Sequence, residues 1–305
     1  MIARTARLKG LRIGLAALLL AALPAQGADT ALKKLDTWGS SRGWEGVGLL
    51  DIGANARCSG ALIAPDLVLT AAHCLFDKSD NSRHDPRSIT FSAGWRDGKS
   101  VAQRKVAYAV IEPGYDFANK LSTINIRRDL ALLQLESPIV STHANPFATD
   151  RAVAVGENVA VVSYGQGRFD APSQQRSCSV VGGQAGVKLF SCDVVPGSSG
   201  APIFTMEGRS PRIVSVVSGI GTRDGQEVMF GMDIEMPVEG LKRAMRAGIG
   251  VFPMRSTAAR RISVNAPKSQ TPPTASAQGI KRISPNTPNS ATRMRAGGAR
   301  FVRPQ

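Results

Sequence analysis

Short apolar runs of strand length follow one another through the middle of the chain, and Gly, Pro, Asn and Asp separate them. The runs are 47–52, 60–63, 67–69, 88–91, 101–111, 130–135, 158–162, 203–204 and 212–217. Such runs predict β-strands, and no long helical pattern alternates with them, which argues against a parallel α/β sheet. About 200 residues of this texture predict one all-β unit made of two small barrels.

One segment near the end of this region has helical periodicity instead. It begins with proline, places Val238, Leu241 and Met245 at helical spacing and stops before Gly248. This pattern predicts a short C-terminal helix over 237–247.

The start of the chain differs from the middle. Residues 1–27 combine a basic start, a short apolar run and small residues, which predicts a secretory signal peptide cleaved after Gly27. An uncleaved membrane anchor is the alternative, but the run is short for a bilayer core of about 30 Å. We expect a secreted or periplasmic protein, with its folded domain over 28–250 and no integral membrane segment after signal removal.

The net charge of +15 belongs to the two ends of the chain. Segments 1–27 and 251–305 carry four and ten basic residues and no acidic residue, so the part between them is nearly neutral. In 251–305, Pro, Ser, Thr and Arg dominate and apolar periodicity is lost, which predicts a disordered basic tail. Three alternative roles fit this composition. The tail binds an anionic surface or cell-envelope polymer, it is a propeptide that is removed, or it is a linker. Because its aromatic residues are only Phe252 and Phe301, specific recognition of nucleic acid is not expected.

Four cysteines in an exported chain predict two disulfides, for which three pairings exist. Pairing Cys58 with Cys74 and Cys178 with Cys192 is the simplest choice, and each bridge then contributes about 3 kcal/mol. Free thiols or a metal site are the alternative, but no zinc-type Cys/His spacing is present. We expect neither a metal nor another cofactor.

Three segments supply the groups that acyl transfer by serine requires. A serine hydroxyl needs a neutral imidazole to accept its proton, and the imidazole needs a carboxylate to fix its tautomer. His73 follows the run 67–69, Asp129 directly precedes the run 130–135, and Ser199 lies in a Gly-Ser-Ser-Gly turn. We therefore predict that Ser199 is the nucleophile, His73 the general base and Asp129 the group that orients His73.

The order of these residues along the chain excludes other serine hydrolases. All three histidines, His73, His84 and His143, precede Ser199, whereas an α/β-hydrolase needs its histidine after the nucleophile. A subtilisin-like enzyme needs its acid before the histidine, and Asp129 follows His73. The order His, Asp, Ser is that of the chymotrypsin-like arrangement.

Glycines on both sides of the serine pair allow backbone amides to converge on one point. Gly197 and Ser199 are therefore the predicted oxyanion-hole donors. Each catalytic assignment has a plainer alternative. For His73, the alternative is a structural role at a strand end. For Asp129, it is a surface position in which the acid pairs with a neighbouring arginine. For the nucleophile, the alternative to Ser199 is Ser198.

The same segments resemble the trypsin/chymotrypsin-like serine peptidases, in particular their exported bacterial members. The resembling stretches, within about residues 44–248, are 58–63, 69–74, 128–133, 197–202 and 216–219. The resemblance implies a chymotrypsin-like fold of two six-stranded β-barrels with the triad in the cleft between them. It also implies peptide hydrolysis through an acyl-enzyme, and a substrate-binding strand that contains Ser218 and Gly219.

Several positions depart from the pattern of the animal enzymes. Ser198 stands where those enzymes have an aspartate that pairs with a newly freed N-terminus, so we expect activity without that switch. Asp193 lies where trypsin-type members carry the acid that selects Arg or Lys, but Ile220 stands where they need glycine. Basic-residue specificity therefore stays open. Val217 replaces the histidine of glutamate-selecting members and argues against that specificity.

The sequence as a whole predicts an exported serine endopeptidase that acts on polypeptides. One alternative is a catalytically lapsed binding protein on the same fold, although no triad member is missing. The other is a protein whose main function is adhesion to anionic surfaces through the tail.

Overall fold

The computed structural model describes residues 30–53, 56–119, 122–206, 210–254 and 299–301. The predicted signal peptide, 1–27, and the tail residues 255–298 and 302–305 lie outside the described residues. Within the described ranges, no helix is long and apolar enough to span a membrane.

Two antiparallel sheets make up most of the described protein. The strands are β1 (Lys33–Lys34), β2 (Val47–Gly53), β3 (Ala56–Ala64), β4 (Leu67–Thr70), β5 (Thr90–Ala93), β6 (Ala102–Ile111), β7 (Ala131–Leu135), β8 (Asn158–Ser163), β9 (Ser173–Gln184), β10 (Val187–Phe190), β11 (Pro202–Thr205), β12 (Arg212–Val216), β13 (Gly219–Arg223), β14 (Gln226–Met232) and β15 (Ala299–Phe301). The helices are α1 (Thr123–Arg127) and α2 (Glu235–Ala247), with 3-10 turns at Ala72–Leu75, Pro86–Ser88 and Phe117–Asn119.

The first sheet closes into a barrel in the order β2-β3-β4-β7-β6-β5. Strands β4 and β7 are buried almost throughout, which explains their nearly continuous apolar sequences. Helix α2 covers part of this barrel, since Val238, Leu241 and Met245 join the same core as Leu132 and Leu133 of β7. The apolar face predicted for this helix therefore packs as expected.

The second sheet has the order β12-β11-β8-β9-β10-β14-β13-β15, and β1 pairs with β9. Two of its hairpins turn through two residues in the left-handed region. These are Ala185 and Gly186, with φ of 51° and 82°, and Asp224 and Gly225, with φ of 52° and 80°. Such turns match the twist of the flanking strands and fix the strand register.

Aromatic rings connect the two sheets, and disulfides fasten one loop in each half. The Trp44 ring centroid lies 5.0 Å from that of Phe204 in β11, and the Phe147 ring lies 4.8 Å from Phe204. The bridges join Cys58 to Cys74 and Cys178 to Cys192.

The predicted all-β, chymotrypsin-like fold is confirmed, with the first sheet a closed six-stranded barrel and the second a half-barrel. The predicted C-terminal helix is α2, which begins earlier than its proline, at Glu235, and ends as predicted at Ala247. Gly248, with φ of 72°, terminates it. Within the tail that the composition predicts to be disordered, residues 299–301 form β15 on the edge of β13. Backbone pairing at an open edge needs no apolar periodicity.

Candidate active site

The pairing of β4 with β7 brings the histidine and aspartate segments together. Thr70, at the end of β4, is opposite Ala131, at the start of β7, so the residues that follow β4 lie beside those that precede β7. His73 lies in the 3-10 turn after β4, and the Cys58–Cys74 bridge ties this turn to β3. His73 and Asp129, which are far apart in the sequence, are therefore held close together at one end of the barrel.

The carboxylate of Asp129 is buried, with 2% of the residue exposed, and three hydrogen bonds satisfy it. Oδ1 accepts from the backbone N–H of His73 at 2.8 Å, and Oδ2 lies 2.7 Å from Nδ1 of His73. The hydroxyl of Ser218 donates to Oδ2 at 2.5 Å. With Nδ1 protonated toward Asp129, the neutral ring presents Nε2 as an acceptor.

Helix α1, which the sequence patterns do not reveal, positions Asp129. Its N-cap is Ser122, whose hydroxyl accepts from the N–H of Asn125 at 3.3 Å, and the side-chain amide of Asn125 donates to the carbonyl of Asp116 at 2.6 Å. The N–H of Asp129 donates to the carbonyl of Ile126 at 3.2 Å. Asp129 is therefore fixed from its N-terminal side as well.

The neighbouring arginines bond elsewhere. Arg127 reaches the carbonyl of Ala185 at 3.5 Å, and Arg128 reaches that of Gly114 at 3.2 Å. The partners of the Asp129 carboxylate are His73 and Ser218, so the alternative of a surface acid paired with a neighbouring arginine does not describe it.

The Ser199 turn needs glycine on both sides. Gly197 has φ of 92° and Gly200 has φ of 77°. A side chain at Gly197 would overlap the Phe169 ring, and one at Gly200 would overlap Thr70. Both positions therefore combine left-handed backbone with close approach.

The amides of this turn divide into two groups. The N–H of Ser198 donates to the carbonyl of Val195 at 2.9 Å, and that of Gly200 donates to the carbonyl of Val217 at 2.8 Å. Among the described residues, the N–H groups of Gly197 and Ser199 have no such partner. These are the two amides predicted to form the oxyanion hole, and they remain available to a ligand oxygen.

The two serines of the turn have different surroundings. Ser198 is 1% exposed, and its hydroxyl lies 3.3 Å from the hydroxyl of Ser163 and 3.0 Å from Nη2 of Arg168. Burial lowers the pKa of the Arg168 guanidinium to about 10. Ser199, in contrast, lines the cavity that contains His73, so the geometry favours Ser199 over Ser198 as the nucleophile.

A cavity of about 600 Å³ lies between the two sheets. Its lining includes all of the predicted triad, oxyanion-hole and peptide-strand residues, namely His73, Asp129, Gly197, Ser199, Ser218 and Gly219. Asp193 does not line it. Asp193 is exposed, and its N–H donates to Oε1 of Gln175 at 2.7 Å, so its backbone is held against β9. Asp193 thus lies outside the lining of this cavity, and its assignment to the substrate site stays a prediction.

The lining also contains apolar residues that the sequence analysis did not assign, among them Val194, Val195, Phe169 and Phe230. The sequence predicts only that such apolar residues are buried, because no local pattern distinguishes a residue that lines a cavity from one in the hydrophobic core. Close by, the hydroxyl of Tyr115 is buried, and its burial, followed by the charge of Asp129, raises the Tyr115 pKa. Tyr115 therefore stays neutral beside the carboxylate.

No metal cluster of intact ligands occurs in the part of the chain that the structure describes. The one grouping of suitable residues is Cys58, His73 and Cys74, and both sulfurs are already joined in a disulfide. The thiolates that a metal requires are therefore absent from it.

The chain matches known proteins in sequence and in fold. Residues 58–210, half of the chain, match the sequence model of the trypsin-like peptidase domain. The chain is 33% identical over 120 residues to the modular serine protease of Drosophila melanogaster, which covers 37% of this chain and 18% of that protein. It is 38% identical over 84 residues to a trypsin-like protease of Streptomyces glaucescens, which covers 27% of this chain and 26% of that protein.

The chain thus spans about a quarter or less of the length of these two relatives. Among solved structures, it is similar to that of a Glu endopeptidase in complex with MPD, with a TM-score of 0.59 and 17% identity. That match covers 71% of this chain and 96% of the other. It supports the fold.

Proposed function

Because the chain belongs to the trypsin-like peptidase domain family, we propose that it is an exported serine endopeptidase with Ser199, His73 and Asp129 as catalytic residues. The observation that carries this proposal is the buried Asp129 carboxylate bonded to Nδ1 of His73, in a cavity that Ser199 also lines. A buried carboxylate is costly unless such partners compensate it. The two disulfides support an oxidising compartment, and hence export.

The reaction is an acyl transfer in two halves. Oγ of Ser199 attacks the peptide carbonyl carbon while its proton passes to Nε2 of His73. His73 then donates that proton to the leaving amine as the C–N bond breaks, which leaves an ester on Ser199. Water loses a proton to His73, attacks the ester and releases the carboxylic acid, and Ser199 recovers its proton.

Two fixed interactions lower the barriers. Asp129 stabilises the imidazolium that forms at each step and holds His73 by two hydrogen bonds, one to the ring Nδ1 and one from the backbone N–H. The backbone N–H groups of Gly197 and Ser199 donate hydrogen bonds to the oxyanion of each tetrahedral intermediate. One donor of this kind is worth about 3 kcal/mol of transition-state stabilisation.

The proposed substrates have an apolar residue before the cleaved bond. The lining of the cavity that contains Ser199 includes the apolar residues Val194, Val195, Val217 and Ile220. The N–H of Gly200 donates to the carbonyl of Val217, which holds the Val217 segment against the turn of the nucleophile, and Asp193 does not line the cavity. A basic side chain would be desolvated here without a partner.

Activity does not depend on a newly freed N-terminus in this proposal. Ser198 offers no carboxylate to such a group, and its hydroxyl is already bonded to Arg168. Lys33 and Lys34, which follow the predicted cleavage site, pair with β9.

Labelling with a fluorophosphonate probe tests the proposed function. The wild-type protein is expected to be labelled at Ser199, and the folded variant His73→Ala is expected to lose labelling. Folded wild-type protein without labelling would support the alternative of a lapsed binding protein. Tetrapeptide anilides that differ only in their last residue test the specificity. We expect Leu to exceed Lys in kcat/KM by about tenfold or more, and equal rates would contradict the apolar wall.

A further inference from the structure

The cavity that contains Ser199 is also lined by charged side chains that the proposed mechanism does not use. Besides the proposed triad, these are Arg57, Asp77, Lys78 and His84, all from the first barrel and its loops. Oδ1 of Asp77 is bonded within its own loop, to the N–H of Ser79 at 2.7 Å and to its hydroxyl at 2.6 Å. Of the described residues, the second sheet and its loops add no charged side chain to the lining. The cavity therefore has an apolar part and a part that contains two cations, Arg57 and Lys78.

Arg57 is exposed, and among the described residues it pairs with no carboxylate. Asp51 lies opposite it in β2, but Oδ1 of Asp51 accepts the N–H of Gly53 at 3.1 Å. The Arg57 guanidinium lies over the Phe169 ring instead, with its central carbon 5.1 Å from the ring centroid. A guanidinium stacked on a ring still directs its N–H groups outward in its own plane, so Arg57 can bind a carboxylate in bidentate fashion.

Two sets of contacts place Arg57 near the turn of the nucleophile. The Phe169 ring packs on Gly197, where an added Cβ would lie 2.5 Å from it. The N–H of Ser59 donates to the carbonyl of Ser199 at 2.8 Å, and the Ser59 hydroxyl donates to the carbonyl of Gly197 at 3.2 Å. Arg57 precedes Ser59 by two residues in β3, a distance of about 6.6 Å along a strand. Arg57 is therefore about two strand residues away from the nucleophile.

The leaving part of a substrate lies near Arg57, because His73 must reach the leaving nitrogen in order to protonate it. The sulfur of Cys58, the residue after Arg57, lies within 4.8 Å of a ring nitrogen of His73. The proposed substrate-binding strand, 218–219, belongs to the second sheet and faces the first barrel across the cavity. A polypeptide that leaves this strand and passes Ser199 thus runs toward Arg57.

We propose that Arg57 binds an acidic side chain at the second residue after the cleaved bond and is thus a specificity-determining residue of the candidate active site. Two residues of extended substrate span about 6.6 Å, the same length as the two residues from Ser59 to Arg57. Lys78, which lines the same cavity, adds to the positive potential. The position after a cleaved bond rests on the proposed function, whereas the binding of an acidic side chain in the cavity does not.

The test uses internally quenched peptides that differ only in the second residue after the cleaved bond, which is Glu, Gln or Lys. We expect the wild-type protein to cleave the Glu peptide about threefold faster than the Gln peptide and about tenfold faster than the Lys peptide in kcat/KM, as for an exposed charge pair. In 1 M salt the preference should shrink, because the screening length falls to about 3 Å. The same changes at the first residue after the bond should have a smaller effect.

Charge variants of Arg57 distinguish direct binding from a structural role. Arg57→Gln is expected to bring the ratio of Glu to Lys cleavage close to one, Arg57→Lys to keep the preference for Glu, and Arg57→Glu to reverse it. Arg83→Gln is the matched control and should keep the wild-type ratio. Arg83 is also exposed and also lies over an aromatic ring, 5.1 Å from the centroid of Phe252, but it does not line the cavity.

Peptide binding to Ser199→Ala, measured by fluorescence anisotropy, reports charge selection without catalysis. The Glu peptide should bind more tightly than the Lys peptide, and adding Arg57→Gln should remove the difference. An unchanged ratio in Arg57→Gln, or a ratio lost only in Lys78→Gln, would overturn the role of Arg57, and a larger effect at the first residue would overturn the position. Cleavage by wild type without charge discrimination would overturn the inference and leave the proposed function intact. Selective binding without any cleavage by wild type would refute the proposed function and retain the acid-binding site.

Discussion

The guanidinium of Arg168 supports the turn that carries the nucleophile, and its replacement by Met is the most informative perturbation. Nη1 donates to the carbonyl of Ser163 at 2.7 Å, and Nη2 bonds to the hydroxyls of Ser163 and Ser198 at 3.0 Å each. Ser198 lies between the two proposed oxyanion donors, Gly197 and Ser199. Arg168 therefore holds the side chain that lies between the two proposed donor amides.

The size of the effect follows from the bond to Ser198. A hydrogen bond to a charged group contributes about 1.5 to 3 kcal/mol. If this energy keeps the turn in its competent conformation, its loss lowers kcat/KM by about tenfold to a hundredfold, since 1.4 kcal/mol corresponds to a factor of ten. Stability should change less, because Met removes a buried cation along with its bonds.

The assay measures kcat/KM on an apolar peptide anilide together with the thermal midpoint. Arg96→Met is the control, because Arg96, at 5% exposed, is buried more fully than Arg168 and bonds to Ser41 rather than to the Ser199 turn. By the same argument on stability, we expect Arg96→Met to change the midpoint about as little as Arg168→Met does, and to leave kcat/KM unchanged. An Arg168→Met protein with full kcat/KM would refute the positioning role of Arg168.

Three further predictions concern the catalytic pair and its support. Asp129→Asn should lower kcat by about 10⁴-fold, since an amide cannot hold His73 in the required tautomer, and single-turnover kinetics measures this loss. Ser218→Ala removes the 2.5 Å bond to Asp129 and should cost about tenfold in kcat with an unchanged KM. Replacing both Cys58 and Cys74 by Ala should lower the free energy of unfolding by about 3 kcal/mol in denaturant titrations, and a change below about 1 kcal/mol would contradict the role of this bridge.

The fold could be predicted from the sequence, and the segments of the proposed triad located, because their signals are local. Strand-length apolar runs mark β4 and β7, and the residues that flank them are His73 and Asp129. The glycines around Ser199 mark a turn that other residues cannot adopt, and the structure gives Gly197 and Gly200 positive φ. In each case the residues that determine the local structure are neighbours in the sequence.

The remaining features depend on contacts between distant segments. The spacing of Asp193 to Ser199 predicts a place in the substrate site, whereas the position of Asp193 outside the cavity lining depends on its bond to Gln175 of β9, which no local pattern reveals. The network of Arg168 with Ser198 depends on two loops that meet only in the fold. Likewise, β15 pairs through backbone groups, which leave no pattern in the sequence.

The acyl-enzyme itself gives the most direct test of the catalytic proposal. Wild-type protein mixed with an activated ester of an apolar peptide, quenched in acid and digested, can be analysed by mass spectrometry for the acylated residue. The account predicts one acyl group per chain on Ser199, and none in Ser199→Ala. Acylation of another residue, or undiminished hydrolysis by Ser199→Ala, would contradict it.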